Sequence, residues 1–409
     1  MSGMNLSHDS DSSPYRRLRL EELEKRFVLD AAFGFALGFG AGSEDVGRAV
    51  TTDASGNVYV TGAFEGTVDF DPGAGTANLT SAGGEDVFVA KYTAAGGLVW
   101  AKRLGGTGED RGLGIEVDGS GNVHTTGHFE NTADFDPGAG TTNLVSAGGR
   151  DIFVSKLNSS GDFVWARRLG GTGDDVAFSI ALDAAGSVHT TGQFQDTVDF
   201  DPGVGTVNLT SAGSSDIFVS KLNSAGEFVW ARRMGGATLD SGFDIALDGV
   251  GNVHTTGTFS VMADFDPGVG TVNLISEGVF DAFVSKLNAA GEFVWARRLG
   301  GTGEDIGFGT ALDGAGNVHT TGRFENTADS DPGVGTVNLT SAGDFDVFVS
   351  KLNADGSFVW AKQFGGTGGD IGFGIAVEGR NVYTTGDFAG TADFDPSAAI
   401  VNLTSAGDR

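Results

Sequence analysis

The chain has 409 residues, with 69 Gly, 31 Phe, 7 Pro and no Cys, and 54 Asp+Glu against 25 Lys+Arg give it a formal net charge of -29. The lack of Cys excludes disulfides, thiolate metal sites and cysteine catalysis. The acidic surface argues against nucleic acid and anionic lipid and favours cations or basic partners, and no apolar run reaches the ~18 residues of a spanning helix.

Residues 1–15 are polar. "RRLRLEELEKR" (Arg16–Arg26) follows, too acidic for an ordinary signal-peptide start, and Leu20, Leu23 and Phe27 at helical spacing predict a short amphipathic helix. The apolar stretch Phe27–Gly40 is interrupted by Asp30 and several glycines. Residues 1–32 therefore form an N-terminal segment, and residues 33–409 a repeat domain.

Repetition governs that domain. Trp100, Trp165, Trp230, Trp295 and Trp360 recur every 65 residues, as do Asp69, Asp134, Asp199, Asp264 and Asp329. The sixth copy, Asp393, comes one residue early because "EGRN" (Glu378–Asn381) replaces a five-residue loop such as "DGSGN" (Asp118–Asn122). A length change that spares both flanks marks a hairpin loop. Within one unit, strands are predicted at Leu98–Leu104, Gly112–Asp118, Val123–Phe129, Thr142–Gly148 and Asp151–Asn158, joined by Gly-rich loops. No unit carries a helical period. The fold class is all-β, a β-propeller of six 65-residue repeats. A six-bladed ring is the preferred reading and an incomplete seven-bladed one the alternative. A period of 65 is long for one blade, so "DFDPGAG" (Asp134–Gly140) is expected to add a hairpin. The sixth unit stops before its Asp-x-Phe-Val-Ser-Lys-Leu strand, and "RFVLD" (Arg26–Asp30), with the same Phe-Val pair, is expected to close the last blade.

"DVFVAKYTAAGGLVWAKRLGGTGED" (Asp86–Asp110) with "DGSGNVHTTGHF" (Asp118–Phe129) resembles the bacterial SBBP-type β-propeller repeat. The pattern recurs through nearly all of Phe33–Arg409, with His where it commonly has Tyr and with the "DFDPG" insert added. The resemblance implies a secreted or surface-associated propeller without assigned chemistry. "RLRLEELEKRFVLDAA" (Arg17–Ala32) resembles the Leu-Glu-x-Arg-x-Leu-Leu (LEPR-XLL-like) segment of planctomycete exported proteins, which implies export to the bacterial exterior or cell surface.

Several recurrent residues invite a chemical reading. His124, His189, His254 and His319 share one position, but Tyr59 and Tyr383 replace them in the outer copies and no second His recurs nearby. Packing or surface contact is the better reading than a metal site. The "GGTGED" loops (Gly105–Asp110) lack the Lys-Ser/Thr and helix of a phosphate cradle; tight turns with positive-φ glycines are expected. Asp110 and its copies, and Asp53, Asp118, Asp183, Asp248 and Asp313, read as turn caps. Lys91, Lys156, Lys221, Lys286 and Lys351 need partners on a neighbouring strand, and the tryptophans are expected to pack between blades.

The candidate metal residues are the paired aspartates Asp69 and Asp71, Asp134 and Asp136, Asp199 and Asp201, Asp264 and Asp266, Asp329 and Asp331, and Asp393 and Asp395. Two hard oxygen donors, helped by loop carbonyls, suit calcium. The competing reading for the second Asp is a type II turn at Asp-Pro-Gly; that turn leaves the first Asp unexplained. Ser, His and Asp recur alike in every unit, so no single asymmetric catalytic constellation stands out and no catalytic residue is assigned. Paired carboxylates for glycoside hydrolysis lack a distinguishable acid and nucleophile. The expectation is a monomeric, non-enzymatic structural or binding module with an unspecified protein or carbohydrate ligand. A calcium-dependent binding propeller is the alternative, and a polysaccharide-active enzyme stands third.

Overall fold

A computed structural model describes residues 35–407 apart from 37, 41 and 398. The expected N-terminal helix and the closing strand at 26–30 lie outside the described residues. Strands and turns make up the described chain, with no helix among them.

The first unit contains β1 (Asp45–Thr52), β2 (Val58–Phe64), β3 (Thr67–Asp69), β4 (Asn78–Thr80), β5 (Asp86–Tyr92) and β6 (Leu98–Gly106). The second repeats it as β7 (Arg111–Val117), β8 (Val123–Phe129), β9 (Thr132–Asp134), β10 (Asn143–Val145), β11 (Asp151–Leu157) and β12 (Phe163–Gly171). Four long strands pair antiparallel in the order β1-β2-β5-β6, which is one propeller blade. The short pair β3–β4 is the hairpin expected of the "DFDPG" motif.

From the second unit on, that hairpin extends the preceding blade instead of its own. β9 pairs with the end of β6, Gly105 opposite Asp134 and Gly106 opposite Ala133, giving the six-stranded order β1-β2-β5-β6-β9-β10. The Gly-Gly step is what permits this. A Cβ on Gly106 would stand 1.9 Å from the Thr132 carbonyl oxygen, and Gly105 has φ 147°. The expected positive-φ glycine is present, but close approach of the neighbouring hairpin is the stronger demand on the pair.

The cores lie between blades. Tyr59, Val87 and Val89 of the first unit pack with Ile115, Val123, Phe129, Phe135 and Phe153 of the second. Alternation along each strand sends one face to the preceding unit and one to the following unit, so both faces are apolar. Phe135 is fully buried, 5.5 Å from the Phe129 ring and 4.9 Å from that of Phe153. The aromatic between the two aspartates therefore anchors the hairpin in the core, and Ser330 fills its place in the fifth unit, also buried.

Tryptophan latches one blade to the next, as expected. Trp165 Nε1 donates to the Ser224 carbonyl at 3.3 Å, in the turn between the third and fourth strands of the next unit. Arg167 lies over the Trp165 ring at 5.4 Å and donates from Nε to Gly226 O (2.8 Å) and from Nη2 to Ala225 O (3.0 Å). Gly226 has φ 74°, and a Cβ there would meet the indole at 3.0 Å. Trp230 and Trp295 repeat the contact on Ala289 and Ala354.

Candidate functional site

In all six units the first aspartate of the motif spans the tip of the hairpin. Asp134 Oδ1 accepts the backbone N–H of Asp136 at 3.0 Å and of Thr142 at 2.8 Å. Asp69, Asp199, Asp264, Asp329 and Asp393 accept the equivalent pairs at 2.8–3.0 Å. One oxygen thus ties both ends of an eight-residue loop, which is why this position keeps its Asp when the glycines change. The turn chemistry alone left that residue unexplained.

The second aspartate makes a different turn from the one expected. Asp136 Oδ1 accepts the Gly138 N–H at 2.9 Å, an Asx turn, and Gly138 is not at the positive φ that a type II turn requires. Asp71, Asp201, Asp266, Asp331 and Asp395 do the same. The other oxygen explains a second glycine, because a Cβ on Gly140 would stand 2.1 Å from Asp136 Oδ2. Among the described residues, no three His, Asp or Glu side chains gather as a metal-binding group. The paired aspartates stay one pair per hairpin. Asp134→Ala is expected to cost about 1–2 kcal/mol, because it strands two amides that a carboxylate held. Asp134→Asn, which keeps an acceptor, should cost less. Faster hydrogen exchange at Asp136 and Thr142 in the alanine variant alone would check it.

The histidines are buried, not solvent-facing. His124, His189 and His254 have no exposed surface, and burial pushes each imidazole down to about 4. The His124 ring meets Trp165 edge-on at 6.0 Å. In the first unit Tyr59 fills the place and donates to Asp53 Oδ2 at 3.0 Å. The imidazole is therefore a packing element that either ring can replace.

The recurrent lysines find their partners across the blade, as expected. Lys156 Nζ lies 3.4 Å from Asp118 Oδ2, whose Oδ1 caps the β7–β8 turn through Ser120 and Asn122 N–H. Lys221, Lys286 and Lys351 pair likewise with Asp183, Asp248 and Asp313.

Two further acids recur whose burial the sequence did not reveal. Asp110 is fully buried, accepts Gly106 N–H at 2.6 Å and Glu130 N–H at 3.1 Å, and is pushed up to about 7 by burial. Asp86, also fully buried, pairs with Arg103 at 2.6 Å. Both carboxyls face Gly105, where an added Cβ would lie within 2.8 Å of each. Their recurrence in every complete unit was the available signal, but strand alternation does not tell a capped surface Asp from a buried one.

A groove opens between the inserted hairpins of the fourth and fifth units. It holds about 510 Å³, lined by Asn273, Leu274, Arg297, Arg298, Asp331 and Pro332 among others. Arg298 is held by Asp281 at 2.8 Å and Glu277 at 2.9 Å, so its guanidinium is fixed at the groove wall. The same residue types recur at the preceding junction as Asn208, Leu209, Arg232, Arg233, Asp266 and Pro267.

No family model matches the chain. It is 24% identical over 448 residues to an uncharacterised WD repeat-containing protein of Acanthamoeba polyphaga mimivirus, covering 91% of this chain and 32% of that protein. It is 26% identical over 369 residues to the regulatory protein FlaEY of Caulobacter vibrioides, covering 83% of this chain and 36% of that one. Together with blades of four antiparallel strands that recur in the first five units, this decides the class. The chain is a β-propeller repeat protein. This propeller spans about a third of the length of the curated relatives it matches. Among solved structures, a protein of unknown function from Bacteroides caccae aligns at 10% identity and a TM-score of 0.26 over 68% of this chain and 89% of that one. The extracellular domain of a putative hybrid two-component system from B. thetaiotaomicron aligns at 8% identity and a TM-score of 0.17, over 88% and 72%.

Proposed function

We propose that this propeller is a non-enzymatic binding or structural module of the bacterial cell surface or exterior, presenting its rim grooves to a protein or carbohydrate. The observation that carries the reading is the groove itself. Its walls set fixed guanidinium groups beside an Asp-Pro-Gly loop and apolar Leu and Ile side chains, and most of these residue types recur in sequence at the preceding junction. Such a mixed lining suits an extended polymer, and a repeating ligand gains by avidity wherever the recurring residues build a further site. Most other recurrent polar groups are engaged in turn caps, inter-blade latches and ion pairs within a blade, which supports a scaffold over a reaction centre. Binding is tested by screening polysaccharides and unfolded peptides against the protein and an Ile275→Glu variant in the groove. Retention of a polymer by the wild type and weaker retention by the variant is expected; release of cleavage products would overturn the non-enzymatic reading.

Calcium-dependent binding is a second reading. It is favoured by one detail: the backbone donors to Asp134 all fall on Oδ1, and none reaches Oδ2 among the described residues. Titrating calcium in a calorimeter, with thermal melts repeated in EDTA, separates the two. Heat of binding and a Tm lowered by EDTA are required of this second reading, and their absence removes it.

A further inference from the structure

The groove between the fourth and fifth units has an open sheet edge in its wall. The inserted hairpin of the fourth unit pairs Met262 with Ile275, Ala263 with Leu274 and Asp264 with Asn273. Ser276 N–H donates to the Val261 carbonyl and Phe265 N–H to that of Val272, each at 3.0 Å. The backbone groups of residues 272, 274 and 276 therefore turn toward the inner strand of the hairpin. Those of Asn273 and Ile275 turn away from it, as an antiparallel ladder alternates. Both residues are exposed, and among the described residues nothing bonds the outward N–H and C=O of Ile275. Unpaired edges of this kind are templates for a further strand, and proteins commonly guard them with charge or proline. This edge carries Asn, Leu and Ile instead.

The fifth unit shows what fits such an edge. Thr340, the counterpart of Ile275, donates its backbone N–H to Gln363 Oε1 at 3.1 Å, and Gln363 Nε2 donates to the Thr340 carbonyl at 2.9 Å. A side-chain amide thus takes the two bonds that a residue of an added strand would take. Arg298 stands in the place of Gln363 in the fourth unit and is drawn instead to Asp281 and Glu277. A guanidinium has no acceptor with which to satisfy the Ile275 N–H.

The side chains mark the same place. Thr67 and Thr80, Thr197 and Thr210, Thr327 and Thr340, and Thr391 and Thr404 pair by their hydroxyls across the equivalent hairpins. The fourth unit sets Met262 against Ile275 there, 48% and 63% exposed. Beside them Val261 is 64% exposed at φ 57°, where the other units hold Gly, Asn or Asp. A β-branched residue in that conformation carries a local cost, and packing does not offset it, because the side chain stands in solvent. Charge adds a preference. Arg297 donates to the Gly356 and Asp355 carbonyls and Arg298 is ion-paired, whereas Asp329 and Asp331, which also line the groove, pair with no cation among the described residues.

We propose that the groove takes an extended, basic peptide as an added strand. The peptide backbone exchanges N–H and C=O bonds with Ile275, one of its apolar side chains lies in line with Met262 and Ile275, and a Lys or Arg of the peptide reaches Asp331. This rests on the groove reading above and narrows it to a peptide held through its main chain, with side chains setting the preference.

The probe is a fluorescein-labelled, end-capped heptapeptide of alternating Lys and Val, titrated with the full-length chain at physiological salt and followed by anisotropy. Binding by the wild type is expected. Ile275→Pro removes the outward N–H without touching a bond to the inner strand, and should weaken binding about tenfold, the size of one lost hydrogen bond. Ile275→Val keeps that N–H and should weaken it less. Arg298→Gln brings in the amide that the fifth unit already accommodates, so it should cap the edge from within. It is expected to weaken binding more than Arg298→Met, which loses the guanidinium without supplying an amide. Thermal melts check that each variant is folded. Equal losses with Pro and Val, or with Gln and Met, would overturn strand addition and leave the groove reading standing. Retention of a polysaccharide with no binding of the peptide does the same, and if neither binds, both readings fail.

Discussion

Trp165→Ala is expected to cost about 3–5 kcal/mol, the range for truncating a buried large aromatic, and to change the shape of the melt as well as its midpoint. The ring is 6% exposed and fills the space between its own His124 and the turn at Gly226 in the next unit. Its loss also removes the surface on which Arg167 lies, and with it the geometry of the two bonds from Arg167 to Gly226 and Ala225. These are junction contacts, and in a repeat array each unit is held largely by its neighbours. Weakening one junction should let the units on either side unfold separately, so the calorimetric transition is expected to broaden or split. Trp100→Ala supplies the comparison. Trp100 makes the same bond to Ser159 O at 3.2 Å, but its ring is only half-buried and Lys102 stands where the second, third and fourth units have Arg. A smaller loss and a single transition are expected there. Equal losses would contradict the view that the Trp–Arg latch couples the blades.

The latch and the inserted hairpin act on the same junction from two directions. The fourth strand of one unit reaches forward to the next unit's turn through Trp165 and Arg167. The hairpin of the next unit reaches back and pairs with that strand at Gly170 and Gly171. Each blade is thus clamped from both sides by backbone pairing and by side chains, beyond the apolar packing between the sheets. This explains why the repeat needs 65 residues where four strands alone would need fewer. The extra length builds a joint, and the rim groove is the space left between successive joints.

Much of this was legible in the sequence because repeats expose what each position must keep. The strands, the hairpin and the inter-blade tryptophan all follow from periodicity and spacing. What stayed hidden depended on contacts between units. The sequence shows Gly105 and Gly106 as glycines, but only the approach of the Thr132 carbonyl says why Gly106 must be one. Alternation put Asp134 and Asp136 on one face, yet the partner of Asp134 is an amide eight residues away, which no strand period predicts. His124 was ambiguous because a strand with both faces buried has no solvent side for alternation to reveal. Asp110 read as an ordinary turn cap, and it is one, but a cap at zero exposure has a different titration from one at the surface.

That titration gives the protein a pH dependence with a definite sign. Burial raises Asp110, Asp175, Asp240 and Asp305 from an ordinary 3.8 to about 7, and Glu116 from 4.5 to about 7. An acid raised on folding holds its proton more tightly in the folded chain. Its contribution is fully present below its unfolded value and is lost as the pH rises through about 7. Each such group changes stability by up to about 1.4 kcal/mol per pH unit between its two values. The buried histidines act in the opposite direction. His124, His189 and His254 fall from 6.5 to about 4, so their contribution is present above 6.5 and is lost as the pH drops toward 4. Between pH 8 and 6.5 only the acids titrate differently in the two states, and Tm is expected to rise as the pH falls. Between 6.5 and 4 the two sets offset each other and the curve should flatten. Below that, Asp118, held at about 2 by hydrogen bonds from Asn122 and Ser120 and by Lys156, begins to lose its stabilising charge, and Tm should fall. Asp175→Asn imitates the protonated acid at every pH, so it is expected to shrink the rise between pH 8 and 6.5 while leaving the acid limb unchanged. A Tm that falls steadily from pH 8 to 5, or an Asn variant with the wild-type rise, would mean that these carboxyls stay ionised in the folded blades, held by the two backbone amides each accepts.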